Sequence, residues 1–141
     1  MTAEERDRFL AGQRVCRVAT VSVGGAPHVQ PLWYVWHDES LWFYSIIRSQ
    51  RWRDLERDPR VAAVVDAGGE YENLRGIEMA GRVEGVGEVP RKGDFNPELE
   101  TPERLFVERY HGGIGPFPHD GRHAWLRLRP ERQYSWDFRK L

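Results

Sequence analysis

The chain has 141 residues, 40% hydrophobic and 30% charged, which suits one soluble domain (residues 1–141) with a core of its own. Its net charge of −1 sets up no global field towards nucleic acid or an anionic membrane, so neither is an expected partner. A single cysteine, Cys16, excludes an intrachain disulfide and a cysteine-based zinc site within one chain.

Thr2-Ala3-Glu4-Glu5 reads as a capping box that opens a helix, with Gly12 at its end. Val15 to Val23 is rich in β-branched residues and alternates as a strand with one better-buried face. Gly24-Gly25-Ala26-Pro27 turns it into a second strand, His28 to Trp36, and the two are expected to form a hairpin. Pro31 inside that second strand cannot donate to a ladder, so the strand should be an edge or bulged there. A third strand spans Leu41 to Ile47, a helix Gln50 to Arg57, and a fourth strand Val61 to Asp66, apolar throughout and therefore central. A fifth strand covers Asn73 to Val86, and residues 90–97 read as loop. Thr101-Pro102 predicts the start of another helix, which His111-Gly112-Gly113 stops. A Gly/Pro-rich loop reaches Gly121, and a last strand runs from Ala124 to Leu128, with Gln133 to Phe138 continuing or returning. Strand spacings near ten residues point to an antiparallel barrel or sandwich. No G-x-G-x-x-G follows a strand and there is no Walker loop, which argues against a Rossmann or P-loop site. No leader and no long apolar run stand out, so a cytoplasmic protein is expected.

Of the 21 basic residues only Lys92 and Lys140 are lysines. Arginines cluster where the third strand meets the next helix, at Arg48, Arg51 and Arg53, with Ser45 and Ser49 beside them. Two readings stay open there. One is a phosphate clamp, since a helix N-terminus, hydroxyls and the arginine fork all suit phosphate oxygens. The other is a charged helix start whose arginines pair with Asp54, Glu56 and Asp58. His111, His119 and His123 read as exposed loop histidines, and no metal site is expected. Cys16 lies in a strand pattern where a thiol is inert, and there is no G-x-S-x-G elbow. With no catalytic residue in view, an enzyme of this sequence should take its chemistry from a bound cofactor. Trp33, Tyr34, Trp36, Trp42, Phe43 and Tyr44 crowd strands two and three. They fit a core with a subunit interface, or the bed of a flat cofactor.

Several motifs in order carry a family resemblance. They are Arg14-Val15, Ala19-Thr20-Val21, Gly25-Ala26-Pro27-His28-Val29, Pro31-Leu32, Leu41-Trp42-Phe43-Tyr44-Ser45 and Ser49-Gln50-Arg51 followed by Asp58-Pro59-Arg60-Val61. Leu74-Arg75-Gly76-Ile77, Gly81-Arg82-Val83-Glu84 and the ending Ser135-Trp136-Asp137-Phe138-Arg139-Lys140-Leu141 complete the set. The chain resembles the pyridoxamine 5′-phosphate oxidase-like split β-barrel proteins, and within them the flavin/deazaflavin oxidoreductases of class B, many of which use coenzyme F420. The resemblance implies a mainly β, antiparallel split barrel that forms a homodimer, with cofactor sites at the subunit interface. It places the cofactor phosphate near Arg48, Ser49, Gln50 and Arg51 and the ring along Gln30, Pro31 and Leu32, against Ser45 and Ile46. Asn73 and Arg75 approach from nearby or from the partner. Oxidase members carry Arg-Lys where this chain has Gln50-Arg51, and one charge fewer suits the phosphodiester of F420 better than the dianionic phosphate of FMN. The implied activity is hydride transfer from reduced F420 to a small organic substrate. An FMN oxidoreductase, or a carrier of flavin, deazaflavin or haem without catalysis, are the alternatives.

Overall fold

Thr2 and Glu5 cap each other's backbone amides, both at 3.1 Å, and so start helix α1 (Ala3–Gly12) in the computed structural model, which describes residues 1–141. The helix ends on the expected glycine. Its unsatisfied carbonyls at Leu10 and Ala11 accept from Tyr34 and Arg109. The rest of the chain supplies β1 (Cys16–Val21), β2 (Pro27–Leu32), β3 (Val35–His37), β4 (Ser40–Ile46), α2 (Gln50–Arg57), β5 (Arg60–Ala67), β6 (Arg75–Val86), α3 (Pro97–Tyr110) and β7 (His123–Asp137).

The strands form one antiparallel sheet in the order β2-β1-β5-β6-β7-β4-β3. Its two edges are consecutive in the chain, joined only by Trp33 and Tyr34, so the sheet curls until its margins nearly meet. This is the split β-barrel, mainly β, that the resemblance implies. Pro31 sits opposite Arg17 on edge strand β2, where its missing donor costs nothing, and β5 lies inside the sheet as expected. The expected second strand is broken in two. At the break the Tyr34 amide donates to the Tyr110 hydroxyl of α3 at 3.0 Å instead of to a neighbouring strand.

One further expectation needs correction, and one left open is decided. Helix α3 begins at Pro97 under an Asn96 cap and not at Thr101, because Leu99, fully buried, must join Pro102 and Phe106 on one apolar stripe. Pro102 therefore stands inside the helix. The last strand is unbroken over 15 residues, because a bulge opposite Ala80 and Gly81 accommodates Pro130 without ending the pairing.

The barrel interior holds Cys16, Val18, Tyr34, Phe43, Trp52, Leu55, Ile77 and Met79. A second apolar cluster lies under α3, with Val35, Trp42, Leu99, Phe106, Phe117 and Trp125. Trp125 also donates from Nε1 to Glu103 at 3.0 Å, and Glu103 pairs with buried Arg91, which in turn holds Glu88 at 2.7 Å. Burial pushes the Glu88 carboxyl up, but the Arg91 guanidinium and the Asp94 amide hold it down at about 2 against an ordinary 4.5. Ionised Glu88 thus contributes stability above pH 4.5 that is lost as the pH falls towards about 2. Urea unfolding across that window should show a steeper acid loss in the native chain than in Glu88→Gln. Equal slopes would contradict this account.

Candidate functional site

The turn from β4 into α2 is built from its own side chains. Ser49 caps α2 by accepting from the Trp52 amide at 3.1 Å, and its hydroxyl donates to the Ile46 carbonyl at 2.8 Å. Trp52 and Leu55 are buried on the inner face of α2. Asp54 is buried on the same helix, with no exposed surface. It accepts from Thr20 and Ser22 of the first hairpin and from Gln50, each at 2.8 Å, and His28 lies 3.8 Å away. Burial pushes the Asp54 carboxyl up, and the Ser22, Thr20 and Gln50 hydrogen bonds more than offset this, holding it below its ordinary value. This buried carboxylate satisfies Thr20 at the end of the inward face of β1 and Ser22 just beyond it, and it ties α2 to the hairpin that carries Pro31.

Arg51 is the unusual residue of the turn. It is 7% exposed, donates from Nε to Ser45 at 3.1 Å and from Nη1 to Gln30 at 3.3 Å, and has no carboxylate partner. Burial pulls its guanidinium below the ordinary value, yet arginine stays protonated, so an uncompensated cation sits in the protein. Arg48 and Arg53 also lack carboxylate partners, and Asp58 pairs with Arg60. A charged helix start held by its own acids is therefore not what the turn is. The first amides of α2, at Gln50 and Arg51, have no intrahelical acceptors.

Arg51 opens into a cleft of about 350 Å³ that Pro31, Leu32 and Ile46 line with it. Its other walls are Trp33, Tyr44 and Phe106, with His111, Pro118, Asp120 and His123. A second cleft, about 540 Å³, shares Ile46 and is lined by Ile47, Arg48, Pro90, Gly121 and Arg122, without an acid. Of the residues expected from sequence, Pro31, Leu32, Ile46 and Arg51 line the first cleft, Gln30 and Ser45 accept from Arg51, and Arg48 lies at the second. Ser49 and Gln50 shape the turn from within. Asn73 and Arg75 lie apart from both clefts in a single chain. Arg75 stacks on Phe9 at 5.8 Å and donates to the Asn73 carbonyl.

Sequence reasoning had Tyr44 among the aromatics that fit a cofactor bed, misread His123 and missed Asp120. His123 is not an exposed loop residue. It opens β7 opposite Ile46, its ring stacked on Tyr44 at 4.8 Å. The alternation Phe43 in, Tyr44 out was readable along β4, and Asp120-Gly121 marks a turn, but nothing local says that the turn brings Asp120 onto His123.

A family model described as pyridoxamine 5′-phosphate oxidase matches residues 2–137. No curated protein matches the chain in sequence. Among solved structures, the conserved hypothetical protein Rv2991 from Mycobacterium tuberculosis is 30% identical with a TM-score of 0.81, over 99% of this chain and 87% of that one. A protein described as an F420 reductase is 26% identical with a TM-score of 0.68, over 91% and 94% of the two chains. A FAD-binding protein from Mesorhizobium loti shares the fold at 23% identity and a TM-score of 0.69, over 96% and 93%.

Proposed function

Since the chain belongs to the pyridoxamine 5′-phosphate oxidase family, we propose that it is an oxidoreductase working with a flavin-type cofactor, and that this cofactor is coenzyme F420. One observation carries the reading. Arg51 is a buried cation with no protein anion, lining an aromatic cleft that shares Ile46 with a basic one, and a phosphate would neutralise it. The 26% identity to an F420 reductase over nearly the whole of both chains supports the choice of cofactor. So does the acid-free second cleft, whose Arg48 and Arg122 suit an extended anionic tail better than a single terminal phosphate.

In this reading Arg51 and Arg48 hold the phosphodiester together with the first amides of α2. Ser45 and Gln30 hold Arg51, and Ser49 and Gln50 hold the turn. Pro31 and Leu32 form one wall for the ring and Ile46 the other. When bound, reduced deazaflavin supplies a hydride from its C5 to an electron-poor double bond. The chain contributes orientation and water exclusion through Trp33, Tyr44 and Phe106. A second copy of the chain completes the site in this proposal. The outer sheet face offers it small residues, Ala19, Ala62 and Ala80, beside exposed Val29 and Tyr134, and the partner's surface would bring Asn73 and Arg75 within reach. The acceptor is a small organic molecule.

Titration of the purified protein with F420 and with FMN tests the reading. F420 should bind with a Kd of roughly micromolar order and quench its own fluorescence, and FMN should bind more weakly. Tight FMN binding without F420 binding would replace the cofactor in this proposal. F420 binding without turnover on any acceptor would make the protein a carrier.

A further inference from the structure

The aromatic cleft holds one ionisable pair to which cofactor binding gives no task. Asp120 stands in the turn before β7, where its Oδ1 accepts from the backbone amides of Arg122 at 2.9 Å and His123 at 3.2 Å. That leaves Oδ2 at 2.5 Å from His123 Nδ1, not aligned as a hydrogen bond, so the contact is one of charge and is favourable when the ring is protonated. The ring lies nearly parallel to Tyr44, at an interplanar angle of 17°, which fixes its plane. With Nδ1 buried beside the Asp120 carboxylate and one face against Tyr44, Nε2 is the remaining polar atom of a ring that lines the cleft.

The other ionisable groups of this cleft are weaker candidates to give up a proton. Arg51 does not deprotonate. The Tyr44 hydroxyl already donates to the Pro118 carbonyl at 3.2 Å. Burial, with Asp120 and Glu103 nearby, also holds Tyr44 well above the ordinary phenol value. His111 is exposed at the end of α3, without a carboxylate beside it.

We propose that His123 is the catalytic acid of this cleft, with Asp120 as its positioning residue, and we take an alkene conjugated to a carbonyl as the test acceptor. This rests on the hydride-transfer reading above. The incoming hydride forms a C–H bond at the β-carbon as the alkene π bond breaks, and the electron pair passes to the α-carbon and the carbonyl oxygen as an enolate. His123 gives its proton to that anion and becomes neutral imidazole, which solvent reprotonates. The acceptor gains two electrons, and the reduced deazaflavin loses them.

The test starts without cofactor, using 4-nitrophenol, whose yellow phenolate imitates an enolate. The native protein should bind the phenolate, and His123→Gln should weaken that binding roughly tenfold at unchanged circular dichroism. Asp120→Asn keeps the oxygen that caps the turn and removes the charge, and should give an intermediate loss. With F420 bound, reduction of 2-cyclohexen-1-one by His123→Gln should fall roughly a hundredfold in kcat at unchanged cofactor affinity. Equal phenolate affinity in the native protein and His123→Gln, or an unchanged kcat, would overturn the assignment to His123. Failure of any deazaflavin or flavin to bind would instead overturn the hydride reading itself.

Discussion

Arg51→Ala will bind the phosphate-bearing cofactor roughly a hundredfold more weakly than the native chain, a loss of about 3 kcal/mol. The magnitude follows from burial. A guanidinium screened from water and held by Ser45 and Gln30 meets an anion with its geometry already set, so little is lost to reorganisation. A second measurement separates this from a structural defect. The variant loses two hydrogen bonds, but it also sheds an unpaired buried charge, and the two effects nearly cancel, leaving its urea stability within about 1 kcal/mol of native. Affinity and stability falling together would mean that Arg51 serves the fold and not a ligand. Arg51→Lys keeps the charge without the fork and should recover only part of the affinity.

Trp125→Ala will cost about 3–5 kcal/mol of folding stability, the largest loss expected from a single side chain. Trp125 has no exposed surface. Its ring meets Tyr44 at 5.0 Å, Phe117 at 5.6 Å and Phe106 at 5.9 Å, and stands edge-on to Trp42 at 6.5 Å. Removing it opens a cavity that stiff aromatic neighbours cannot close, and it strands Glu103 beside Arg91 with one donor fewer. Urea unfolding measures the loss, and Trp125→Phe should restore most of it. Tyr44 and Phe106 also wall the cleft, so the alanine variant should lose cofactor affinity as well. An alanine variant as stable as native would refute the packing argument.

Local chemistry made much of this architecture legible from sequence. The Thr2 and Glu5 cap, the Gln50–Arg57 helix and the edge placement of Pro31 each rest on neighbours within a few residues, and each is present in the fold. The errors arose where a distant contact decides. Asn96-Pro97 and Thr101-Pro102 are two similar start signals, and only the burial of Leu99 selects the first. Asp54 reads as a solvated helix acid until Thr20 and Ser22, more than thirty residues earlier, are found bonded to it. The site divides in the same way. Arg51 was visible because arginines crowd its turn, whereas His123 acquires its setting only by pairing with Ile46 across the sheet.

The two-residue passage through Trp33 and Tyr34 makes one part of the chain intolerant of length change. In segments 88–96 and 112–122, which carry no strand or helix, added residues carry an entropic cost that grows only slowly with length. The passage from β2 to β3 cannot take them, because a third residue would let the two margins of the sheet drift apart and would pull Tyr34 off Tyr110. Change in what the clefts admit must therefore come from the two long segments, which border them at Pro90, Pro118 and Asp120, while the passage keeps its length.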